Sequence, residues 1–408
     1  MKMNTNYKRM NKCLCCDESL KKDSVLLNLG KQPLANNFHA PNKKIEDYPL
    51  AVKKCNKCFH VQLSVAVKPS LLYENYSYVS GTTKTLKDYF MNFADKIEKK
   101  FKGKKLSILE IACNDGTLLE IFQKRGHQVL GVDPAKNLRK FSKSKGLNII
   151  VDYWDKNIPK KINKKFDLII AQNVLAHVSS PKEFLDSVGE CLKDDGIAAI
   201  QTSQYYMFKN FEFDTIYHEH HSFFSIKSLD SLLRGTNLFM HDAEVVKIHG
   251  GSLLSYLKIK SKKNIVKKRK INLLQNEKKF LNNINFKKFS KFASKFNSKL
   301  NKVIKDHKDL NYKIVGYGAA AKTNTVLNFC KINLDFIIDD NSIKVNKLTP
   351  GMNIVVKDRN SLKSLSKDNV LFFIGAWNFY EEITGKIKKL RKNKNDKFLT
   401  FFPKFKLK

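Results

Sequence analysis

The chain's 408 residues suffice for two or three domains, and 42% apolar residues with 11% aromatics can fill cores of that size, which excludes a disordered tail. Its formal charge of +38 comes mostly from lysine spread through every segment, so it reads as a solvated surface and disfavours a nucleic-acid groove. No apolar stretch approaches the roughly 18 residues that span a bilayer, and residues 1–12 carry no hydrophobic signal segment, so a cytoplasmic protein without a membrane partner is expected.

In chain order, the first signal is cysteine spacing. Cys13-x2-Cys16 and Cys55-x2-Cys58 each set two thiols on a tight knuckle, and two knuckles complete the tetrahedron that zinc accepts from sulfur. Cys15 offers an alternative first ligand. Four thiolates leave no open coordination position, so the zinc is expected to be structural.

Strand-helix alternation begins after this part. Residues 106–111, 128–132, 166–170 and 197–200 fit buried parallel strands separated by amphipathic helices, and an α/β sheet is expected. The segment Glu110-Ile-Ala-Cys-Asn-Asp-Gly116 follows the first strand and precedes a helix over 117–124, where an open sheet binds ligands. Asp133 ends the next strand, placed for two ribose hydroxyls, and Gly116 allows close backbone approach. The loop lacks the glycine pattern of a pyrophosphate cradle. This favours S-adenosylmethionine over NAD, with a dehydrogenase-like or ligand-free sheet as the alternatives.

Further on, Tyr217-His218-Glu219-His220-His221 concentrates acid–base groups. In an extended segment His218 and His220 share one face, with Tyr217, Glu219 and His221 on the other. Such a cluster serves as a proton acceptor, a metal site or a solvated loop. Residues 257–314 carry the densest lysine, at helical spacing that implies a solvated helix face. Strand-like runs return at 312–316, 334–338 and 370–374, predicting a second doubly wound unit. In it Gly316-Tyr-Gly318, followed by Lys322 and Asn324 at a helix start, reads as an anion cradle fit for a pyrophosphate, with a purely structural lobe as the alternative. By texture the chain divides into 1–77, 78–245 and 246–408.

Several strings, taken together, resemble the sugar C-methyltransferases of deoxysugar biosynthesis nearly end to end. They are Leu29-Gly-Lys-Gln-Pro-Leu-Ala-Asn36, Asn173-Val-Leu-Ala-His177, Tyr217-His-Glu-His220, His249-Gly-Gly-Ser-Leu253, Gly316 through Asn324, and Ala376-Trp-Asn378. The resemblance implies a zinc-binding module over 1–77 that helps cover the sugar site. It implies a class I, Rossmann-like methyltransferase domain over 78–245 and a Rossmann-like sugar-nucleotide domain over 246–408. The implied acceptor is a nucleotide-linked 4-keto-6-deoxyhexose, expected to be dTDP-linked, methylated at C3.

Carried over by motif, His220 is the expected base, Tyr217 and Glu219 line the sugar site, and His177 is the second active-site histidine. Tyr78 is the expected substrate-contacting tyrosine, with Tyr76 beside it. The cofactor is assigned to Glu110, Ala112, Asn114, Asp115, Gly116, Asp133, Gln172 and Asn173. The nucleotide sugar is assigned to Gly316, Gly318, Lys322, Asn324, Asp339 and Lys344. Three positions depart from the pattern: Ala112 and Thr323 stand where glycine is usual, and Leu254 where arginine is common. The competing class is a basic zinc-containing nucleic-acid methyltransferase or RNA-binding protein, which predicts steeply salt-dependent binding.

Overall fold

Short runs of Ile, Val and Leu offer no polar face to solvent, so they form strands covered on both sides by helices. A computed structural model describes residues 6–73 and 79–408, the side chain of Thr82 excepted, and the chain divides into two compact units. Unit 1 comprises Met1–Ser24, Lys53–Tyr205 and Glu219–Phe280; unit 2 comprises Val25–Val52, Tyr206–His218 and Leu281–Lys408. The stretch between the two cysteine pairs is thus shared between the units. Among the described residues no helix is long and apolar enough to cross a membrane.

Unit 1 is built on a seven-stranded sheet. Strands β1 (Ser107–Ile111), β2 (Gln128–Val132), β3 (Ile149–Ile150), β4 (Phe166–Gln172) and β5 (Leu192–Thr202) run parallel. An antiparallel hairpin of β6 (Leu238–Val246) and β7 (Ser252–Ile259) completes the β5 side. The order is β6-β7-β5-β4-β1-β2-β3. The chain steps outward from β1 to β3 and then returns to β4 on the other side, so a crevice opens at the carboxyl ends of β1 and β4.

The hairpin turn is the His249-Gly250-Gly251 string, whose φ angles of 53°, 86° and 113° explain the two glycines. Residues 245 and 246, where the sequence texture changes, lie at the end of the first strand of this hairpin. Helix α1 (Lys84–Lys100) buries Leu86, Phe90, Phe93, Ala94 and Ile97 against Ile108, Leu168, Ile170, Ala199, Leu254 and Tyr256. Leu254, one of the three departures, is therefore a core residue. The Thr83 hydroxyl caps α1 by accepting from the Leu86 N–H at 3.3 Å. Helix α2 (Thr117–Lys124) follows the loop at the end of β1.

Unit 2 carries a six-stranded sheet of β8 (Lys313–Tyr317), β9 (Phe336–Ile338), β10 (Val356–Lys357), β11 (Val370–Ile374), β12 (Lys397–Thr400) and β13 (Lys406–Leu407). Its order is β10-β9-β8-β11-β12-β13, parallel except for the last pair. The greater part of the lysine-dense stretch within unit 2 forms α3 (Asn283–Asp309). Phe286, Phe289, Ala293, Phe296, Leu300 and Ile304 are its buried stripe, and its lysines from Lys287 to Lys308 are exposed. Helix α4 (Ala321–Cys330) follows β8.

Candidate active site and zinc centre

Each cysteine pair of unit 1 folds into the same turn. The Cys13 carbonyl accepts from the Asp17 N–H and the Cys55 carbonyl from the Phe59 N–H, each at 3.0 Å. Asp17 (φ 58°) and Phe59 (φ 63°) both close their knuckles in the left-handed region. The Sγ atoms of Cys13, Cys16, Cys55 and Cys58 lie within 4.8 Å of one another, Cys13 to Cys58 at 3.5 Å and Cys16 to Cys55 at 3.6 Å. Four sulfurs about 2.3 Å from a tetrahedral zinc stand about 3.8 Å apart, so the set fits the metal. Cys15 is buried outside the set, and its backbone N–H points to Cys13 Sγ at 3.4 Å.

The strand Val61–Leu63 continues from the second knuckle and ties it to the histidine cluster. Gln62 accepts from the Leu14 N–H at 2.8 Å and donates to the Lys12 carbonyl at 3.0 Å, bracing the first knuckle. On its other edge the same strand pairs antiparallel with Ser222–Phe223, and the Leu63 N–H donates to the His221 carbonyl at 2.9 Å. One short strand thus connects the zinc turns, the first through the Gln62 side chain, to the chain just after His220.

At the carboxyl end of β1 the loop turns through three left-handed residues, Ala112 (φ 58°), Asn114 (φ 55°) and Gly116 (φ 74°). Ala112 thus occupies a conformation that glycine adopts freely, which accounts for glycine being usual there. A side chain on Gly116 would meet Leu147 Cδ1 at 2.4 Å. Asp133 accepts from the Asn114 and Ala135 N–H groups, both at 2.8 Å. The short turn over Ser80–Thr82 lies against this loop, with the Ser80 N–H donating to Asn114 Oδ1 at 2.9 Å and the Gly81 N–H to Asp115 Oδ2 at 3.1 Å.

Burial pushes the Glu110 carboxyl well above the usual range, and Asp115 and Asp133 push it further; burial also raises Asp133. Glu110 Oε2 and Gln172 Nε2 are buried with no hydrogen-bond partner among the described residues. Three acids and two orphaned polar atoms at a sheet's carboxyl edge suit a ligand that brings positive charge and hydroxyls, as S-adenosylmethionine does. Asn173 (φ 59°) turns the chain after β4 and is held by its N–H to the Gln201 carbonyl at 2.9 Å.

His177 follows on a short 3-10 turn, and its ring centroid is 5.0 Å from that of His220. Burial, with a smaller contribution from the neighbouring His221, pulls His177 down to about 3, so the imidazole stays neutral. The Tyr73 hydroxyl lies 3.3 Å from both the His177 and Glu219 carbonyl oxygens, and its ring stacks on His177 at 6.0 Å. The buried Gln204 amide nitrogen stands 2.9 Å from His220 Nε2 and 3.0 Å from Nδ1. Gln204 is a non-glycine residue at φ 69° just past β5, and the sequence reading missed it. A single glutamine after a strand forms no motif; its position at the sheet's carboxyl edge was the available signal.

The expectation of an extended run from Tyr217 to His221 is corrected, because the chain turns over Tyr217–Glu219 and strict face alternation is lost. Unit 1 brings together Glu110 through Gly116, Asp133, Gln172, Asn173, His177, Glu219 and His220, while Tyr217 and His218 belong to unit 2. There His218 Nε2 is 3.3 Å from the Pro49 carbonyl, and burial lowers its pKa to about 4. Tyr76 and Tyr78 lie outside the described residues.

In unit 2 the glycines at the end of β8 face protein. A side chain on Gly318 (φ 88°) would meet Ala376 Cβ at 2.4 Å, and one on Gly316 would meet Ile337 and Leu334. Thr323, the third departure, donates to the Gly318 carbonyl at 2.7 Å. Asn324 is buried and donates to the Ala35 carbonyl at 2.7 Å, within the Leu29–Asn36 string. Lys344 donates to the Ala319 carbonyl at 2.8 Å and pairs with Asp339 at 3.3 Å. Lys322 Nζ stands 4.4 Å over the Trp377 ring.

Three domain families match the chain in succession: a zinc binding domain over residues 13–73, a methyltransferase domain over 80–242 and a C-methyltransferase C-terminal domain over 247–403. C-methyltransferase NovU of Streptomyces niveus is 24% identical over 381 residues, 90% of each chain. A ubiquinone biosynthesis O-methyltransferase of Nitrobacter winogradskyi is 33% identical over 100 residues, 24% of this chain and 38% of that enzyme. A solved S-adenosylmethionine-dependent methyltransferase from Clostridium acetobutylicum ATCC 824 aligns at TM-score 0.35 and 16% identity, over 43% of this chain and 92% of that one. Ordered matches to all three domains, with similarity to a C-methyltransferase along nearly the whole length, identify this chain as an S-adenosylmethionine-dependent C-methyltransferase with an N-terminal zinc-binding domain.

Proposed function

We propose that the enzyme methylates C3, the carbon beside the C4 ketone, of a nucleotide-linked 4-keto-6-deoxy sugar, with a dTDP-linked sugar as the acceptor and His220 as the base. The observation that carries the reading is the pair of imidazoles, His177 and His220, packed 5.0 Å apart near the carboxyl edge of the sheet. A proton beside a ketone is removed readily only where a neutral base stands ready and the developing enolate oxygen is stabilised. In this scheme His220 accepts the C3 proton, and the C–H electron pair passes into the enolate, leaving negative charge on the C4 oxygen. His177, kept neutral by burial, donates a hydrogen bond to that oxygen without giving up its proton.

S-adenosylmethionine supplies an electrophilic methyl group to C3 when bound. The chain's part is to hold it: Asp133 takes the ribose hydroxyls, the Glu110–Gly116 loop with Gln172 and Asn173 takes the remainder, and the acids balance its positive charge. Tyr217 and Glu219 line the sugar site, as the sequence resemblance implies, and the likeness to C-methyltransferase NovU supports carbon as the methylated atom.

The test is to incubate the zinc-loaded protein with S-adenosylmethionine and a panel of nucleotide-linked 4-keto-6-deoxysugars, reading product mass and the position of the new methyl. Methyl on C3, lost in His220→Ala together with solvent deuterium uptake at C3, is the expected outcome. No methylation and no exchange across the panel would remove the sugar acceptor. Undiminished exchange in His220→Ala would remove His220 as the base.

A further inference from the structure

We propose that Lys322, Trp377 and Asp214 act as a positioning device for the segment that ends at Tyr217, and do not form an anion site. The inference rests on the reading of Tyr217 as part of the acceptor site. The segment Phe211–Ile216 is fixed within unit 2 at successive residues. Phe213 is enclosed by the rings of Phe296, Phe329 and Phe402, with centroids 5.1, 5.4 and 5.8 Å away. Asp214 is fully buried and accepts from the Trp377 indole N–H at 2.7 Å. The Thr325 hydroxyl, on α4, lies 3.2 Å from the Ile216 carbonyl oxygen. These contacts end one residue before Tyr217.

Lys322 closes the arrangement. Its ammonium sits over the Trp377 ring, fixing the indole that holds Asp214, and its charge opposes the desolvation that raises Asp214 and Glu212. A pyrophosphate beside Lys322 would face both carboxyls. It would also need the backbone space at Gly318 and Gly375, which Ala376 Cβ and the Thr323 side chain occupy: a Cβ on either glycine would stand 2.4 or 2.2 Å from them. Glycine here allows segment to meet segment, so the pattern of a phosphate loop serves internal packing.

The experiment is hydrogen exchange, read by mass spectrometry, of the peptide covering residues 211–218 in the full zinc-loaded chain. Wild type is compared with Trp377→Phe, Lys322→Met and Lys322→Arg, and each protein is titrated with inorganic pyrophosphate by calorimetry. Trp377→Phe keeps the ring and removes the donor, and it should speed exchange about tenfold, as loss of one hydrogen bond to a charged acceptor implies. Lys322→Met should do likewise and Lys322→Arg should restore protection, with pyrophosphate heats the same in all four. In turnover with a dTDP-linked 4-keto-6-deoxyhexose, kcat should fall and KM for the sugar should hold. Unchanged exchange in Lys322→Met, or pyrophosphate binding that disappears with it, overturns the proposal. Exchange needs no turnover, so an inactive wild type would count against the acceptor reading alone.

Discussion

Replacing Gln62 with leucine tests whether the zinc turns depend on the strand that links them to the histidine cluster. Gln62 is fully buried, and its amide makes two hydrogen bonds to the first knuckle, at 2.8 and 3.0 Å. Leucine keeps the bulk and removes both. Lys12 is exposed and Leu14 is half-buried, so water can partly replace the lost partners. The cost is then about 1 kcal/mol per bond, about 2 kcal/mol in all. If that bracing is present only in the metal-bound form, zinc affinity should fall about 30-fold, inside the range of about 10–100-fold for loss of a group that orients metal ligands. The assay is competition for zinc against a chromophoric chelator with the full chain, alongside chemical denaturation of the zinc-saturated protein. Zinc affinity within about threefold of wild type would show that the two cysteine turns hold their geometry unaided, and the argument from Gln62 would fail.

Gly116→Ala should destabilise the protein by about 1–2 kcal/mol from its φ of 74° and further from the 2.4 Å approach to Leu147, and should weaken S-adenosylmethionine binding. Gly30→Ala, at φ 80° with nothing within 4 Å, isolates the backbone part, and equal losses in the two variants would contradict the steric account. His177 and His218 are held at about 3 and about 4, so below pH about 6.5 the unfolded chain takes up protons that the folded chain refuses. Stability should therefore fall as pH drops from 6.5 toward 4, by up to about 1.4 kcal/mol per pH unit for each histidine. Denaturant unfolding at pH 7, 6 and 5 reads this directly, and a flat profile would refute it. Gln204→Leu removes the amide beside His220 and should lower kcat about 10–100-fold while KM for S-adenosylmethionine holds. Equal changes in both constants would point to a general loss of packing.

The parts legible in the sequence were those written in spacing. Two Cys-x2-Cys pairs specify a tetrahedron wherever the fold brings them, and runs such as Leu106–Ile111 or Val370–Ile374 can only be buried strands. What could not be read depends on partners remote in the chain. No spacing in the sequence shows that Ala376 lies against Gly318, or that the Asn324 amide reaches the Ala35 carbonyl. Gln62 and Gln204 belong to no pattern, yet one braces the metal turns and the other touches the proposed base. The turn over Tyr217–Glu219 was hidden because five polar and aromatic residues in a row carry no periodicity to separate turn from strand.

The threading of unit 2 from three separate stretches limits how this chain can be recombined. A fragment beginning at residue 246 would retain α3 without the rings of Phe208 and Phe213 that cover Phe286, Phe289 and Phe296, leaving an aromatic face bare to solvent. Such a fragment would likewise leave Asn324 without the Ala35 carbonyl that its amide meets. The C-terminal lobe is therefore not a cassette: a chimaera that is to keep its core must carry residues 25–52 and 206–218 along with it.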